Sequence, residues 1–306
     1  RGSRFPNAQG TYLVADYGSG RIWGLRQAGD SFTSTRLRDS GLNISSFGED
    51  QAGELYLLHH DGAPNGAVHI ISFGPPKTTA AALTNGASFQ TGLVPGSLAT
   101  IFGSSLTTVN GIARAPSFPI TTSLLGTRVT VNGIEAPIVA VANVGGAEQI
   151  NIQVPFNLMP GQATVVIQNN GSSSTIEATI LAAQPGLFAN GDGTGAAANS
   201  SGAITSQNPA VRGSTITLYG TGFGPVDGQI AAGEAASTQP PLNTTTTPVI
   251  TIGGATADVQ FSGLAPGFAG LYQLNVTIPA NAPTGLQEVV ATVGGVSSTP
   301  VRLEVR

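Results

Sequence analysis

The 306 residues carry 12 basic and 16 acidic side chains, a net charge of -4, and only 9% of them are charged, against roughly a quarter in an average soluble domain. The absence of cysteine excludes disulfides, thiol catalysis and zinc-thiolate sites, and twelve dispersed cations on an acidic chain exclude a basic stripe for nucleic acid. No apolar run reaches the roughly 18 to 20 residues of a membrane-crossing helix: the run Ile134 to Val144 is broken by Glu135, Pro137 and Asn143.

Lys77 and Met159 are the only residues of their kinds, Glu is sparse, and Val, Ile and Thr recur in short runs among 42 glycines and 20 prolines. This is a β composition rich in turns, and an all-β fold is expected. The sequence opens on Arg1 without a signal-peptide pattern, so a processed product or a fragment is expected.

Residues 1–77 read as six short strands: Thr11 to Ala15, Arg21 to Leu25, Ser31 to Leu37, Ile44 to Gly48, Glu54 to His59 and Ala67 to Phe73. Gly18-Ser19-Gly20, Ala28-Gly29-Asp30, Ala52-Gly53 and Asp61-Gly62 supply the turns. Six strands at this spacing correspond to about one and a half propeller blades of four strands. The stretches RGSRFPNAQGTYLVADYGSGRIWGL, GLNISSFGEDQAGELYLL and GAVHII resemble the C-terminal end of the quinoprotein glucose/sorbosone dehydrogenase propeller family. That resemblance implies a partial β-propeller here. It also implies a longer parent that binds pyrroloquinoline quinone and calcium, with a catalytic histidine on an early blade outside this chain. In some members late-blade loops give basic residues to the quinone, whereas the matching stretches here, Asp16 to Gly20 and Asn43 to Ser46, contain none, and Arg21 only follows the first.

A composition break follows Gly74-Pro75-Pro76-Lys77. Residues 1–77 hold fourteen charged side chains, all three histidines and Trp23, while the remaining 229 residues hold fourteen. A boundary is expected near residue 78.

Beyond it the sequence repeats itself. VPGSLATIFGSSL from Val94 parallels VRGSTITLYGTGF from Val211, VTVNGIEAPI from Val129 parallels ITIGGATADV from Ile250, and QINIQVP from Gln149 parallels QLNVTIP from Gln273, at offsets of 117, 121 and 124. Each copy alternates apolar with Thr, Asn or Gln and turns every 8 to 12 residues, as a two-sheet sandwich of immunoglobulin type does. Pro155 and Pro279 end equivalent strands. The expected domains are 1–77, 78–189 and 190–306. The GSxxxxxGxxF/L spacing resembles the immunoglobulin-like fold shared by plexins and transcription factors. NGASFQTGLVPGSLATIFGSSL and FSGLAPGFAGLYQLNVTIPANAPTG resemble the C-terminal domain abundant in Solibacter-type Acidobacteria, which implies a secreted bacterial setting and no assigned activity.

The candidate chemistry is thin. A Gly-x-Ser-x-Gly elbow is absent. His59 and His60 end a strand before Asp61-Gly62 and read as solvent-facing. In a metal set of His59, His60, Asp61 and His69, adjacent histidines point to opposite faces, so only one of the pair can join His69. Gly191 to Gly195 and Gly220 to Gly224 lack the dinucleotide pattern and read as turns. Asp192 offers one calcium oxygen without nameable companions. The acids Glu49, Asp50, Glu54, Glu135, Glu148, Asp227 and Glu234 are not paired as a glycosidase requires. Sequons begin at Asn43, Asn170, Asn199, Asn243 and Asn275. Phe89, Phe102, Tyr219, Phe223, Phe261, Phe268 and Tyr272 are expected in the core.

No residue is therefore assigned as catalytic, cofactor-binding or metal-ligating, and no cofactor is expected; quinone and calcium belong to the dehydrogenase alternative. The expectation is a non-catalytic extracellular or cell-surface module for assembly or adhesion, without nucleic-acid partners or a transmembrane segment. Its partners would be further copies, in a filament, or upstream blades, recruited by exposed edges and an apolar face of Leu13, Ile22, Trp23, Leu57 and Ile70. A carbohydrate-binding module in contact with glycan is the other alternative.

Overall fold

The computed structural model describes residues 8–62, 66–71, 74–109, 111–169 and 172–306. Among them there is no α-helix, and a 3-10 turn at Ala80–Ala82 is followed by strand in both later units. Residues 1–7, 72–73 and 170, where the start of the first resemblance, the end of the sixth expected strand and one sequon fall, lie outside the described residues, as does the Ile70 side chain.

The N-terminal region forms two antiparallel meanders of three strands. The first joins β1 (Tyr12–Ala15), β2 (Arg21–Ala28) and β3 (Ser31–Asp39), and the second joins β4 (Ile44–Glu49), β5 (Leu55–His60) and β6 (Gly66–Ile70). This differs from the four-stranded blade expected from the spacing. After β3 the chain doubles back over Gly20, whose carbonyl accepts the Ser40 amide at 2.9 Å. A Cβ on Gly20 would meet the Leu42 amide nitrogen at 2.6 Å, so the backbone crosses here too closely for any other residue. The next strand therefore opens a new sheet. The expected exposed face is also corrected: Ile22 and Leu57 are buried with Ile44 between the meanders, supported by Ala15, Leu42, Phe47 and Ile71.

The first sandwich comprises β7 (Leu83–Asn85), β8 (Leu98–Gly103), β9 (Gly111–Arg114), β10 (Thr127–Val131), β11 (Ile134–Glu135), β12 (Ile138–Val144), β13 (Ala147–Gln153), β14 (Gly161–Asn169) and β15 (Ser172–Ile180). A five-stranded sheet β7-β8-β13-β12-β9 lies over a four-stranded sheet β11-β10-β14-β15. The period-2 pattern turns Ile150 and Ile152 of β13 and Val165 and Ile167 of β14 into the common core. Each such side chain contributes roughly 1.5 to 3 kcal/mol on burial.

The second sandwich comprises β16 (Gly186–Leu187), β17 (Ala197–Asn199), β18 (Gly202–Ala203), β19 (Thr215–Thr221), β20 (Val249–Ile252), β21 (Ala255–Leu264), β22 (Tyr272–Thr277), β23 (Gly285–Val293), β24 (Val296–Ser297) and β25 (Val301–Val305). Here β21 pairs with β20 at one end and β22 at the other, so the two faces form one folded sheet. In the first sandwich Pro137 stands where β21 has Asp258. Proline has no ladder donor, and the strand divides into β11 and β12.

Candidate functional site

The most developed polar constellation lies where the sandwiches meet. Leu181 still bonds to the first sandwich, its amide donating to Leu93 O at 2.8 Å, and Gln184 already bonds to the second, donating to Gly222 O at 2.9 Å. The crossing is therefore two residues long. Asn85, fully enclosed at the end of β7, donates from Nδ2 to Gln184 O at 2.8 Å and accepts the Ala87 and Ser88 amides on Oδ1 at 2.8 and 3.0 Å. Thr221, at the end of β19, accepts the Leu98 amide at 2.8 Å and donates to Gly270 O at 2.8 Å. On the far side Gln153 reaches both ways: Nε2 donates to Gly96 O at 3.2 Å, and Oε1 accepts the Gly233 amide at 2.6 Å. The Ile120 amide donates to Gly233 O at 2.8 Å. Gly222 has φ +81°, and a Cβ there would lie 2.2 Å from Gln184 O, so only glycine fits.

A second junction ties the meanders to the first sandwich. Glu148, 5% exposed, accepts the Leu106 amide at 2.6 Å, the Thr107 amide at 3.4 Å and Asn143 Nδ2 at 3.3 Å, and Arg38 of β3 lies 3.5 Å away. The Asp39 amide donates to Thr108 O at 2.6 Å, and the Lys77 and Ser104 backbones exchange bonds at 2.8 and 2.9 Å. A cleft of about 460 Å³ remains beside this junction, with Leu37, Arg38, Leu57 and His69 on one wall and Thr107 and Asn169 on the other.

A groove of about 760 Å³ opens on the second sandwich between the 190–207 loops and β25, lined by Asn190, Asp192, Gln207, Tyr219, Leu286 and Arg302 among others. Arg302 donates to the Asp192 carbonyl. The Thr194 hydroxyl and amide, at 2.6 and 2.9 Å, with Arg302 nearby, hold the Asp192 carboxyl below the usual carboxylate range. Asp192 thus closes a turn on its own neighbours.

The other singled-out residues separate. Asp50 accepts the Ala52 and Glu54 amides and the Tyr56 hydroxyl, Asp227 accepts from Asn243, and Glu135 pairs with Arg128 at 3.0 Å. Asp16 of the first quinone-loop counterpart accepts from Ser19. Phe223 and Tyr272 are buried side by side with ring centroids 5.7 Å apart. Phe89 and Phe268 are exposed, a correction to the expected core set: Phe89 occupies a turn at φ +56°, and Phe268 follows the Pro266-Gly267 turn. His59 meets His69, whereas His60 faces away and accepts the Gly62 amide. Asn85, Gln153, Thr221 and Gln184 carry no chemical motif in the sequence. Asn85, Gln153 and Thr221 each end a strand, and Gln184 lies in the crossing between β15 and β16.

No family model matches the sequence, and no curated protein does. Among solved structures the chain is similar to SGBP-B from the Bacteroides ovatus mixed-linkage glucan utilization locus, in complex with a mixed-linkage heptasaccharide, at 12% identity over 97% of this chain and 63% of that one, with TM-score 0.32. It is similar to SGBP-B from a complex xyloglucan utilization locus in Bacteroides uniformis at 14% identity, over 75% of this chain and 49% of that one, with TM-score 0.24. A further likeness is to domains 5-6 of the S-layer protein SbsC, at 14% identity over 75% of this chain and 98% of that one, with TM-score 0.22. The chain spans less than two thirds of the first two proteins, and these likenesses assign it to no family.

Proposed function

We propose that the chain is a non-catalytic structural module of an extracellular or cell-surface protein, in which two immunoglobulin-like sandwiches hold the N-terminal sheets in a fixed position and orientation. The observation that carries this reading is the seam between the sandwiches. Tandem domains on a flexible linker reorient freely, whereas a two-residue crossing flanked by directional bonds from Asn85, Thr221 and Gln153 admits one orientation. The resemblances to the Solibacter-type domain and to a dehydrogenase propeller end support a secreted parent, to which the three-stranded meanders carried by these sandwiches would belong. The test is direct: the purified chain, given pyrroloquinoline quinone, calcium, an aldose and an artificial acceptor, is expected to show no turnover. Sustained aldose oxidation would overturn the reading in favour of the dehydrogenase.

A second reading, glycan contact, is favoured by the groove on the second sandwich, where the half-buried Tyr219 ring lies among the neutral and charged hydrogen-bonding groups of Asn190, Gln207 and Arg302. An aromatic face with planar polar neighbours suits a sugar ring. Calorimetric titration with soluble glucans, compared between the chain and Tyr219→Ala, tests it. Saturable binding lost in the variant supports glycan contact, and no heat with any glucan removes it.

A further inference from the structure

We propose that each sandwich carries the same subsite for a neutral pyranose, a Thr-Asn-Gln ladder beside an aromatic ring on the outward face of one sheet, so that the chain holds two glycan sites. The inference rests on the glycan reading for the class of ligand and extends it from the groove to the first sandwich. Ile101 and Ile150 point into the first core, so strand alternation turns Thr100, Phe102, Gln149 and Asn151 outward. The pairing of β8 with β13 sets Thr100 opposite Asn151 and Phe102 opposite Gln149. In the second sandwich Leu218 and Leu274 point inward, and the pairing of β19 with β22 sets Thr217 opposite Asn275 and Tyr219 opposite Gln273. The side chains bond alike. Asn151 Oδ1 accepts the Thr100 hydroxyl at 3.1 Å and Gln149 Nε2 at 3.4 Å, and Asn275 Oδ1 accepts the Thr217 hydroxyl at 3.1 Å and Gln273 Nε2 at 3.0 Å. Core positions stay apolar in any sandwich, but outward ones are free to change, as the next outward pair does, Gln153 against Thr277. Packing therefore gives no reason for Thr, Asn, Gln and an aromatic to recur together in both copies.

The ladder presets its own free groups. Two donors converge on the Asn Oδ1, and a flipped amide would set its N–H groups against both, so the orientation is fixed with Nδ2 turned away from them. Among the described residues no hydrogen bond reaches Nδ2 of Asn151 or Asn275, or Oε1 of Gln149 or Gln273. These atoms are not sealed in, since the enclosed side-chain atoms without a partner among the described residues are Ser174 Oγ and Gln184 Oε1. Each ladder thus offers solvent a fixed donor beside an acceptor. A vicinal diol is the complementary group: one hydroxyl accepts from the Asn Nδ2 while its neighbour donates to the Gln Oε1. The adjoining Phe102 or Tyr219 ring supplies an apolar surface for the C–H face of the same sugar. None of these side chains is charged, which suits a neutral sugar over a uronic or sulfated one.

The experiment titrates the full chain with cellohexaose and follows the side-chain amide NMR signals of Gln149, Asn151, Gln273 and Asn275, with the enclosed Asn85 carboxamide as internal control. Both ladders are expected to shift saturably while Asn85 stays in place, and this readout needs no substitution. Gln149→Leu should weaken binding at the first ladder by about tenfold or more, read at the Asn151 signal, and leave the second unchanged; Gln273→Leu should do the reverse. Hexagalacturonate should bind more weakly than cellohexaose at both. Shifts confined to the second sandwich and abolished by Tyr219→Ala would keep the groove and overturn the repeated site. Shifts at both ladders that survive the two leucine variants, or tighter binding of hexagalacturonate, would also overturn it. Absence of any shift or heat would remove this proposal and the glycan reading together.

Discussion

The Leu98 amide of the first sandwich donates to the Thr221 hydroxyl of the second at 2.8 Å, and that hydroxyl in turn donates a hydrogen bond to Gly270 O at the same distance. One buried side chain thus satisfies a donor from one unit and an acceptor within the other. Valine has nearly the same shape but neither function, so Thr221→Val leaves a buried N–H and C=O unpaired. At about 1 to 3 kcal/mol for each of the two orphaned groups, the expected loss is about 2 to 6 kcal/mol in urea unfolding with unchanged m-value. A loss under about 0.5 kcal/mol would mean that the seam opens to water.

Gly222→Ala should be among the most damaging single-methyl additions in the chain. It forces a side chain into φ +81° and drives Cβ to 2.2 Å from a backbone oxygen. Gly294, at φ +57° with nothing within 4 Å of a built Cβ, is the control. Gly294→Ala should cost about 1 kcal/mol, and Gly222→Ala several times more, read from thermal midpoints.

Tyr272 predicts the alkaline limit. Burial pushes its phenol well above the ordinary value of 10.0, and its hydroxyl donates to Gly224 O at 2.6 Å. The unfolded chain gives up this proton first, so the contribution is full below pH 10 and falls as pH rises beyond it. Denaturant titrations between pH 9 and 11.5 should show stability falling more steeply for the unaltered chain than for Tyr272→Phe.

On the acid side the sign reverses. Hydrogen bonds from Glu54, Tyr56 and Ala52 to Asp50, from Thr194 to Asp192, and from Asn243 to Asp227 hold these carboxyls below 3.8. Their contributions are present above 3.8 and disappear as pH falls through the lower folded values. Carboxyl NMR titration should find these three among the lowest midpoints, and amide protection in the 50–54 and 190–194 turns should decline over the same range.

The repeat was legible in detail. Thr100 donates to Asn151 Oδ1 at 3.1 Å, and Thr217, 117 residues later, donates to Asn275 Oδ1 at 3.1 Å. Gly96 and Gly213 turn at φ +78° and +77°, and a bulge between Ile138 and Ala140 returns between Val259 and Phe261. Local periodicity and turn chemistry encode all of these. The seam was not legible, because Asn85 and Gln184 are ordinary polar residues until tertiary folding brings positions 99 apart into contact. Glu148 read as one scattered acid, since only the fold delivers Arg38 and the Leu106 amide to it. The His59–His69 approach was half legible: strand alternation allows only one member of the His59-His60 pair to meet His69, but which one follows from the hairpin register. The four-stranded blade failed on the reversal over Gly20, a long-range crossing that strand spacing does not record.

The central claim is a fixed orientation between the sandwiches, and the cysteine-free sequence suits its test. Spin labels at Gln162→Cys and Thr256→Cys, both exposed and one on each sandwich, give a distance distribution by double electron–electron resonance. The account predicts a single peak no broader than the label rotamers allow, unchanged between dilute and crowded solution. A broad or multimodal distribution would contradict it.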